Sequence, residues 1–178
     1  KATDNAGNTT TSTAITILVV QPKNYVYNHA TTDVWTNTAN WTPTSLPSSI
    51  DTAIIRTGEA KLAQDYSGKV KVEPNGILRA TAYTNMGTVE LQGGAIKVNS
   101  SNQTLGMNAD IIVKEPSSII SGSNPVTIFT IDGTISGYSN LTKKDLGVVV
   151  INASASNFKG MWIVANDTLT IASATGLG

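Results

Sequence analysis

The chain has 178 residues, with twelve basic and twelve acidic side chains, so its formal net charge is zero and only 13% of it is charged. This balance argues against nucleic acid or an anionic membrane as a partner. The absence of cysteine excludes a disulfide framework and a thiolate metal site. No run of 18 apolar residues occurs, so we expect no insertion into a membrane.

Residues 1–20 are predicted to be the terminal strand of a preceding unit. Asp4 and Asn5 can bond the backbone of a turn in which Gly7 takes a positive φ. The run from Ala2 to Asn8, followed by an apolar strand at 13–20, resembles the end of a bacterial immunoglobulin-like repeat. One strand cannot form a sandwich, so we expect residues 13–20 to pair within the chain or with a second molecule, or to hang loose.

Residues 21–49 are predicted to form a linker and an aromatic N-terminal cap. Trp35, the pair Asn40-Trp41, Pro43 and the run that begins at Asp51 resemble the opening of many secreted bacterial parallel β-helix proteins. In those proteins the opening tends to form the first, capping turn. The resemblance therefore implies that Trp35 and Trp41 plug the end of the helix.

Residues 50–178 repeat one sequence pattern, which consists of a short alternating apolar run, a Gly or Asn turn and a second short run. Examples are the segments 69–73, 87–91 and 94–98. Short strands without a helical period between them predict an all-β fold. Loose self-similarity over about 20 to 25 residues is typical of a β-solenoid. We predict a right-handed parallel β-helix of about five or six rungs, continuing beyond this chain.

The alternation also predicts which side chains point inward. Side chains along a strand point alternately to its two sides, so the apolar members of each run share one side. The predicted inward pairs are Val70 and Val72, Val89 and Leu91, and Ile96 and Val98. One such strand buries too little to be stable alone, but stacked rungs bury a continuous apolar column.

The C-terminal part of the chain, from Asn140 onward, shows a further resemblance. A Leu141-Thr-Lys start, a strand led by Gly147 and the turn Asn157-Phe-Lys-Gly are similar to the autotransporter-associated β-strand repeat. Asp145 and Asp167 stand where that repeat commonly has glycine. The resemblance implies a bacterial protein that is secreted or held at the cell surface.

Four aromatic residues are candidates for glycan stacking. Tyr25, Tyr27, Trp35 and Trp41 lie close together in the sequence, and the flat faces of such rings can stack on sugars. The alternative is that both tryptophans plug the first rung. Elsewhere, Phe158 and Trp162 are predicted to be packing residues. Three further tyrosines near turns could form an exposed row: Tyr66, Tyr83 and Tyr138.

A charged strip is the second candidate surface. Lys69, Lys71 and Glu73 share one strand face, with Glu90 and Lys97 expected on nearby rungs. Such a strip could bind an acidic glycan. The alternative is an ordinary solvated face with ion pairs of small value.

No motif indicates catalysis. The chain has no Gly-X-Ser-X-Gly elbow, phosphate loop or zinc-protease signature. Its one histidine, His29, is predicted to have a surface or capping role. The aspartates occur singly near turns, which favours turn stabilisation over calcium binding. We therefore expect no cofactor and no metal.

The sequence favours a non-catalytic polysaccharide-binding module of a large secreted or cell-surface bacterial protein. A structural stalk or spacer of an adhesin is the first alternative. A fragment of a β-helix polysaccharide lyase or hydrolase is the second. Exposed aromatic rings would favour binding, buried tryptophans would favour the spacer, and three converging charged side chains would favour an enzyme.

Overall fold

A computed structural model describes residues 2–10, 19–98, 104–152 and 157–172. These ranges contain strands and one 3-10 turn, Thr38–Asn40, but no α-helix. In chain order the strands are β1 (Ala2–Thr3), β2 (Thr9–Thr10), β3 (Asn24–Tyr27), β4 (Thr32–Val34), β5 (Trp41–Thr42), β6 (Thr52–Leu62), β7 (Lys69–Ala80), β8 (Thr84–Gln92), β9 (Ala95–Val98), β10 (Thr104–Glu115), β11 (Ser117–Ile120), β12 (Ile128–Ile131), β13 (Thr134–Gly137), β14 (Leu141–Lys144), β15 (Val148–Ile151), β16 (Asn157–Phe158), β17 (Trp162–Val164) and β18 (Thr168–Ile171).

From β3 onward the chain coils so that parallel strands stack along three faces, with β5 paired antiparallel to β3, and it makes about five turns, which confirms the predicted β-solenoid. Face A contains β3, β13, β16 and residues 52–55, 69–72, 88–91 and 110–113 of the longer strands. Face B contains β4, β9, β11, β14, β17 and residues 57–62 and 75–80. Face C contains β12, β15, β18 and residues 84–85 and 104–107. The longer strands bend at the corners between faces, and register shifts mark two of these bends, at Ile55/Thr57 in β6 and Asn108/Asp110 in β10.

The core is a set of columns that run along the solenoid axis. On face A, Val70, Val89, Ile111 and Ile135 stand in register, and each is fully buried. All six residues predicted to point inward are fully buried as well. Burying such a side chain contributes roughly 1.5–3 kcal/mol, so the stacked columns are the main source of stability.

The faces stay constant while the corners vary in length. On face A, the rung that runs from Ala53 to Val70 is shorter than the later rung that runs from Ile111 to Ile135. The ladder segments on the faces nevertheless keep similar lengths from rung to rung. Extra residues are therefore accommodated where the chain turns and do not disturb the ladders.

The N-terminal segment forms a separate hairpin of β1 and β2, paired antiparallel. Asp4 accepts hydrogen bonds from the backbone of Ala6 and Asn8, and Gly7 has a φ of +80°. The predicted turn is therefore present. Residues 13–18 of the predicted pairing strand lie outside the described residues, while Val19 and Val20 are exposed.

Two aspartates occupy backbone conformations that glycine favours. Asp145 has a φ of +63° and Asp167 a φ of +56°. Both values lie in the left-handed region, which is energetically unfavourable for a residue that carries a Cβ atom. Both aspartates stand at positions where the similar repeat commonly has glycine. Aspartate is one of the few residues other than glycine that tolerate this conformation.

Candidate functional surface

The four aromatic residues considered for glycan stacking are inside the molecule. Tyr25 is 7% exposed, and Tyr27, Trp35 and Trp41 are at most 1% exposed. Tyr25 and Tyr27 stand in register with Ala53 and Ile55 of the first full rung, and so extend its interior columns. A buried ring offers no face to a sugar, so the expected exposed platform is not formed. The four rings fill the interior at the N-terminal end of the solenoid, which is where the alternative interpretation placed Trp35 and Trp41.

The rings of the cap are held in edge-on contacts with satisfied polar atoms. The Trp35 and Trp41 ring centroids are 4.6 Å apart, and Trp41 Nε1 donates to the Trp35 carbonyl at 2.8 Å. The Tyr27 hydroxyl lies 3.2 Å from the carbonyl oxygens of Asp33 and Glu59. Burial raises the pKa of Tyr27 to about 12. The cap is therefore packed ring against ring, with these polar atoms bonded to backbone carbonyls.

Asp33 organises the cap from its outer side. Its carboxylate accepts hydrogen bonds from the side chains of Asn37 and Asn40 and from the backbone of Val34. The hydrogen bond from Asn40, followed by those from Val34 and Asn37, lowers the pKa of Asp33 to about 2. His29 Nε2 lies 4.0 Å away. The surface or capping role of His29 stays a prediction.

Asp51 fastens the cap to the first rung. One carboxylate oxygen accepts from the backbone of Lys23, and the other accepts from the backbone and hydroxyl of Ser48. The Tyr66 hydroxyl donates to the Asp51 carbonyl at 3.0 Å. The residues of the opening motif, from Trp35 to Asp51, thus have structural roles in this chain.

The three further tyrosines do not form a row, so that expectation was wrong. Tyr66 is buried against Trp35, with ring centroids 5.0 Å apart. Tyr83 is exposed and lies over Gly106 on face C, where any larger residue would collide with its ring. Tyr138 is exposed and follows the last residue of β13 on face A. Their positions in the rungs differ because the turns that carry them lie at different corners.

The predicted strip of Lys69, Lys71 and Glu73 is largely neutralised by ion pairs with neighbouring residues. Lys69 Nζ lies 2.6 Å from Glu90, and Arg56 Nε lies 2.7 Å from Glu73. Lys71 stands in register with Glu90. Burial alone would raise the pKa of Glu90, but the hydrogen bonds from Lys69 and Gln92, together with the charges of Lys69 and Lys71, hold it below its ordinary value. Lys97, expected nearby, lies on face B.

Face B has a basic column that sequence reasoning missed. Lys61, Arg79 and Lys97 stand in register on successive rungs, and Lys144 lies two rungs beyond Lys97, with Ile120 between them. One signal was present in the sequence, because the first three residues are evenly spaced along the chain. That spacing shows as a column only when the rungs are aligned.

Glu59 is buried beneath this column, with 6% of its surface exposed. Arg79 Nη1 and Lys97 Nζ lie 2.6 and 2.8 Å from its two carboxylate oxygens. Burial alone would raise the pKa of Glu59, but the hydrogen bonds from Lys97 and Arg79 hold it below its ordinary value. The cluster joins three successive rungs, because Glu59, Arg79 and Lys97 lie on β6, β7 and β9.

A lysine also occupies the interior of the solenoid. Lys143 stands in the inward column of face B, in register with Ile119, and is fully buried. Its ammonium donates to the backbone carbonyls of Asp145 at 2.6 Å and Asn166 at 2.7 Å. Burial lowers the pKa of Lys143, against the opposing fields of Asp167 and Asp145.

The predicted packing residues pack as expected. Phe158 is buried, and Trp162 is partly buried with its ring centroid 5.0 Å away. The aspartates near turns accept hydrogen bonds from other rungs: Asp110 accepts from Thr134, Asp132 from Tyr83 and Asn152, and Asp167 from the backbone of Gly147. Within the described ranges, no three His, Cys, Asp or Glu side chains converge as a metal site would require.

Comparison of the chain with protein-family profiles, curated proteins and solved structures gave no match. The resemblances to β-helix openings, autotransporter-associated repeats and immunoglobulin-like repeats therefore stay predictions. The part of the chain that the structure describes contains no helical segment with the length and hydrophobicity of a membrane span.

Proposed function

We propose that this chain is a structural spacer, a non-catalytic β-solenoid segment of a large secreted or cell-surface bacterial protein. The observation that carries the proposal is the use of polar side chains to tie successive rungs together along the axis. The cell-surface setting rests on the sequence resemblances. A spacer must keep its two ends at a fixed separation, and axial ties serve that purpose.

Such ties occur on every face. On face A, Lys69 bridges to Glu90 on the following rung, and at the corner that follows this face Arg56 bridges to Glu73. On face B, Glu59 holds two cations from the next two rungs. On face C, the Tyr83 hydroxyl lies 2.6 Å from Asp132, and Asp132 also accepts from Asn152 at 2.8 Å.

The burial of the aromatic rings supports the spacer over a binding module built on an aromatic platform. The binding hypothesis predicts exposed rings at Trp35 or Trp41, or a row of exposed tyrosines. Both tryptophans are fully buried, and Tyr66 is buried as well. The spacer hypothesis needs both rings inside. Three charged side chains do converge on face B, Glu59, Arg79 and Lys97, as the lyase or hydrolase alternative requires. The Glu59 carboxylate is buried and binds both cations, so the cluster supports a tie between rungs over a catalytic group.

The proposal is tested by measuring the distance between the two ends of the solenoid in solution. The chain contains no cysteine, so spin labels can be placed at Thr36→Cys in the cap and Thr170→Cys on the last described strand. Double electron–electron resonance should give one narrow distance distribution, unchanged by moderate denaturant below the unfolding transition. A broad or multi-peaked distribution would overturn the spacer role.

A matched variant tests whether the axial ties maintain that distance. Glu59→Gln removes the charge that holds Arg79 and Lys97, whereas Glu115→Gln changes an exposed carboxylate outside these ties. We expect the first change, and not the second, to broaden the distance distribution. Equal distributions in both variants would contradict the role given to the ties.

A further inference from the structure

The basic column of face B gives this side of the molecule a positive charge that the chain as a whole lacks. The outward positions of face B hold Lys61, Arg79, Lys97 and Lys144 against one carboxylate, Glu59. The chain has no net charge, so this excess is local. Local potentials of this kind attract and orient ligands of opposite sign.

The two ends of the column are available to a ligand. Glu59 engages Arg79 and Lys97, but no ion pair is found for Lys61 or Lys144 among the residues that the structure describes. Lys144 is exposed and Lys61 is half-buried. Four strand spacings of about 4.8 Å separate these two levels, so the column spans roughly 19 Å.

A shallow groove of about 220 Å³ lies beside the column. Gly76, Gly94 and Ala95 line it, together with Ile77 and Ile120, and Lys144 lies at its border. A Cβ atom on Gly76 would lie 2.0 Å from the Ile55 carbonyl oxygen. The packing of adjacent rungs therefore forces a small residue here, and the depression follows from it.

Besides Lys144, the polar side chains that line the groove are uncharged, and the carboxylate of Glu115 lies beside Gly93 at its edge. Asn75 and Ser118 lie there with the aliphatic side chains of Ile77 and Ile120. Hydroxyl and amide groups suit a ligand rich in hydroxyls, and aliphatic surface suits the C–H faces of sugar rings. Ammonium groups form strong, charge-assisted hydrogen bonds with carboxylates and sulfates.

We propose that face B binds a linear acidic polysaccharide, with Lys61 and Lys144 as the free cations and the groove as the seat of its sugar rings. A linear polymer with repeated anionic groups matches cations that recur along one axis. An acidic peptide fits less well, because the backbone groups inside face B are paired in ladders. Extended peptides commonly gain affinity by adding to a free strand edge. The proposal goes beyond the spacer function and does not depend on it.

The experiment measures binding of purified chain to immobilised polygalacturonate, dextran sulfate, neutral dextran and poly-glutamate by biolayer interferometry at two salt concentrations. We expect saturable binding to at least one acidic polysaccharide, weaker binding at high salt and none to neutral dextran. Failure to bind either acidic polysaccharide would overturn the proposal. Tighter binding to poly-glutamate than to both would also overturn it, in favour of an acidic protein partner.

A pair of charge-matched double variants locates the site. Lys61→Gln with Lys144→Gln should weaken binding at least tenfold. Lys114→Gln with Lys159→Gln removes the same charge away from the basic column and should weaken binding less than twofold. Circular dichroism and the melting temperature check that both variants are folded. Equal losses would show attraction to overall charge and would overturn the assignment to face B, while the end-to-end distance measurement remains an independent test of the spacer.

Discussion

At the N-terminal end of the solenoid, four aromatic rings fill the interior, whereas near its last described rungs the same interior holds the ammonium of Lys143. The cap satisfies its polar atoms, since Trp41 Nε1 bonds the Trp35 carbonyl. By contrast, the buried Trp162 Nε1 has no hydrogen-bond partner among the described residues. One end is closed by packed aromatic rings whose polar atoms are bonded, whereas the other contains a buried ammonium and an indole N–H without a described partner, so the two ends should respond differently to substitution and pH.

Removing one aromatic ring from each end should give the largest difference in unfolding free energy. Trp41→Ala should lower the free energy of unfolding by about 3–5 kcal/mol, because it empties a fully buried position in the cap. Trp162→Ala should cost less, because that ring is only partly buried. Urea unfolding followed by circular dichroism measures both. Equal losses would show that the two ends are equally packed.

A subtler pair of substitutions separates hydrogen bonding from packing. Trp41→Phe leaves the Trp35 carbonyl without its donor, which should add about 1–3 kcal/mol to the cost of lost volume. Trp162→Phe removes an N–H that has no described partner, so this penalty should be missing. The comparison is made on melting temperature and unfolding free energy. A larger loss of stability in Trp162→Phe than in Trp41→Phe would contradict this difference between the two ends.

Acid should weaken the cap through Asp33. Its pKa in the folded chain is about 2, below its ordinary value of 3.8. The stability that it contributes is therefore fully present above pH 3.8 and is lost as the pH falls through about 2. Asp33→Asn should melt lower than the parent chain near neutral pH and should lose less on acidification. An identical acid dependence in both proteins would show that Asp33 does not link the cap to pH.

Raising the pH towards 10.5 should increase the contribution of Lys143 to stability. Burial places its folded-state pKa below the ordinary value of 10.5. Between the two values the unfolded chain binds more protons, so the contribution of Lys143 to stability rises with pH through that window. The unfolding free energy of the parent chain relative to Lys143→Met should therefore increase as the pH approaches 10.5. A constant difference would mean that the ammonium is not penalised by burial.

The interior of the rungs could be predicted from the sequence because it depends on a local rule. Val89 and Leu91 alternate with polar neighbours, and a strand turns such residues to one side. The basic column could not be predicted in this way, since its alignment depends on the length of every corner between Lys61 and Lys144. The even spacing of Lys61, Arg79 and Lys97 along the chain indicates that these three align, but it does not indicate Lys144.

The aromatic cluster shows a different limit. Trp35 and Trp41 have the same sequence signature whether they stack on a ligand or seal a core, and only burial separates the two. Lys143 shows the converse. The alternation from Leu141 places it inward, but the two carbonyls that make this tolerable come from residues 145 and 166, and the second lies on the following rung.

The unequal corners have a consequence for how such a scaffold can change. A short link, 132–133, connects β12 to β13, whereas a longer one, 121–127, connects β11 to β12. Because length differences stay at the corners, a loop can be grafted or lost there without moving any strand out of register. The exposed positions between residues 123 and 126 therefore offer a display site on a stiff support, open to variation while the rungs on either side keep their order.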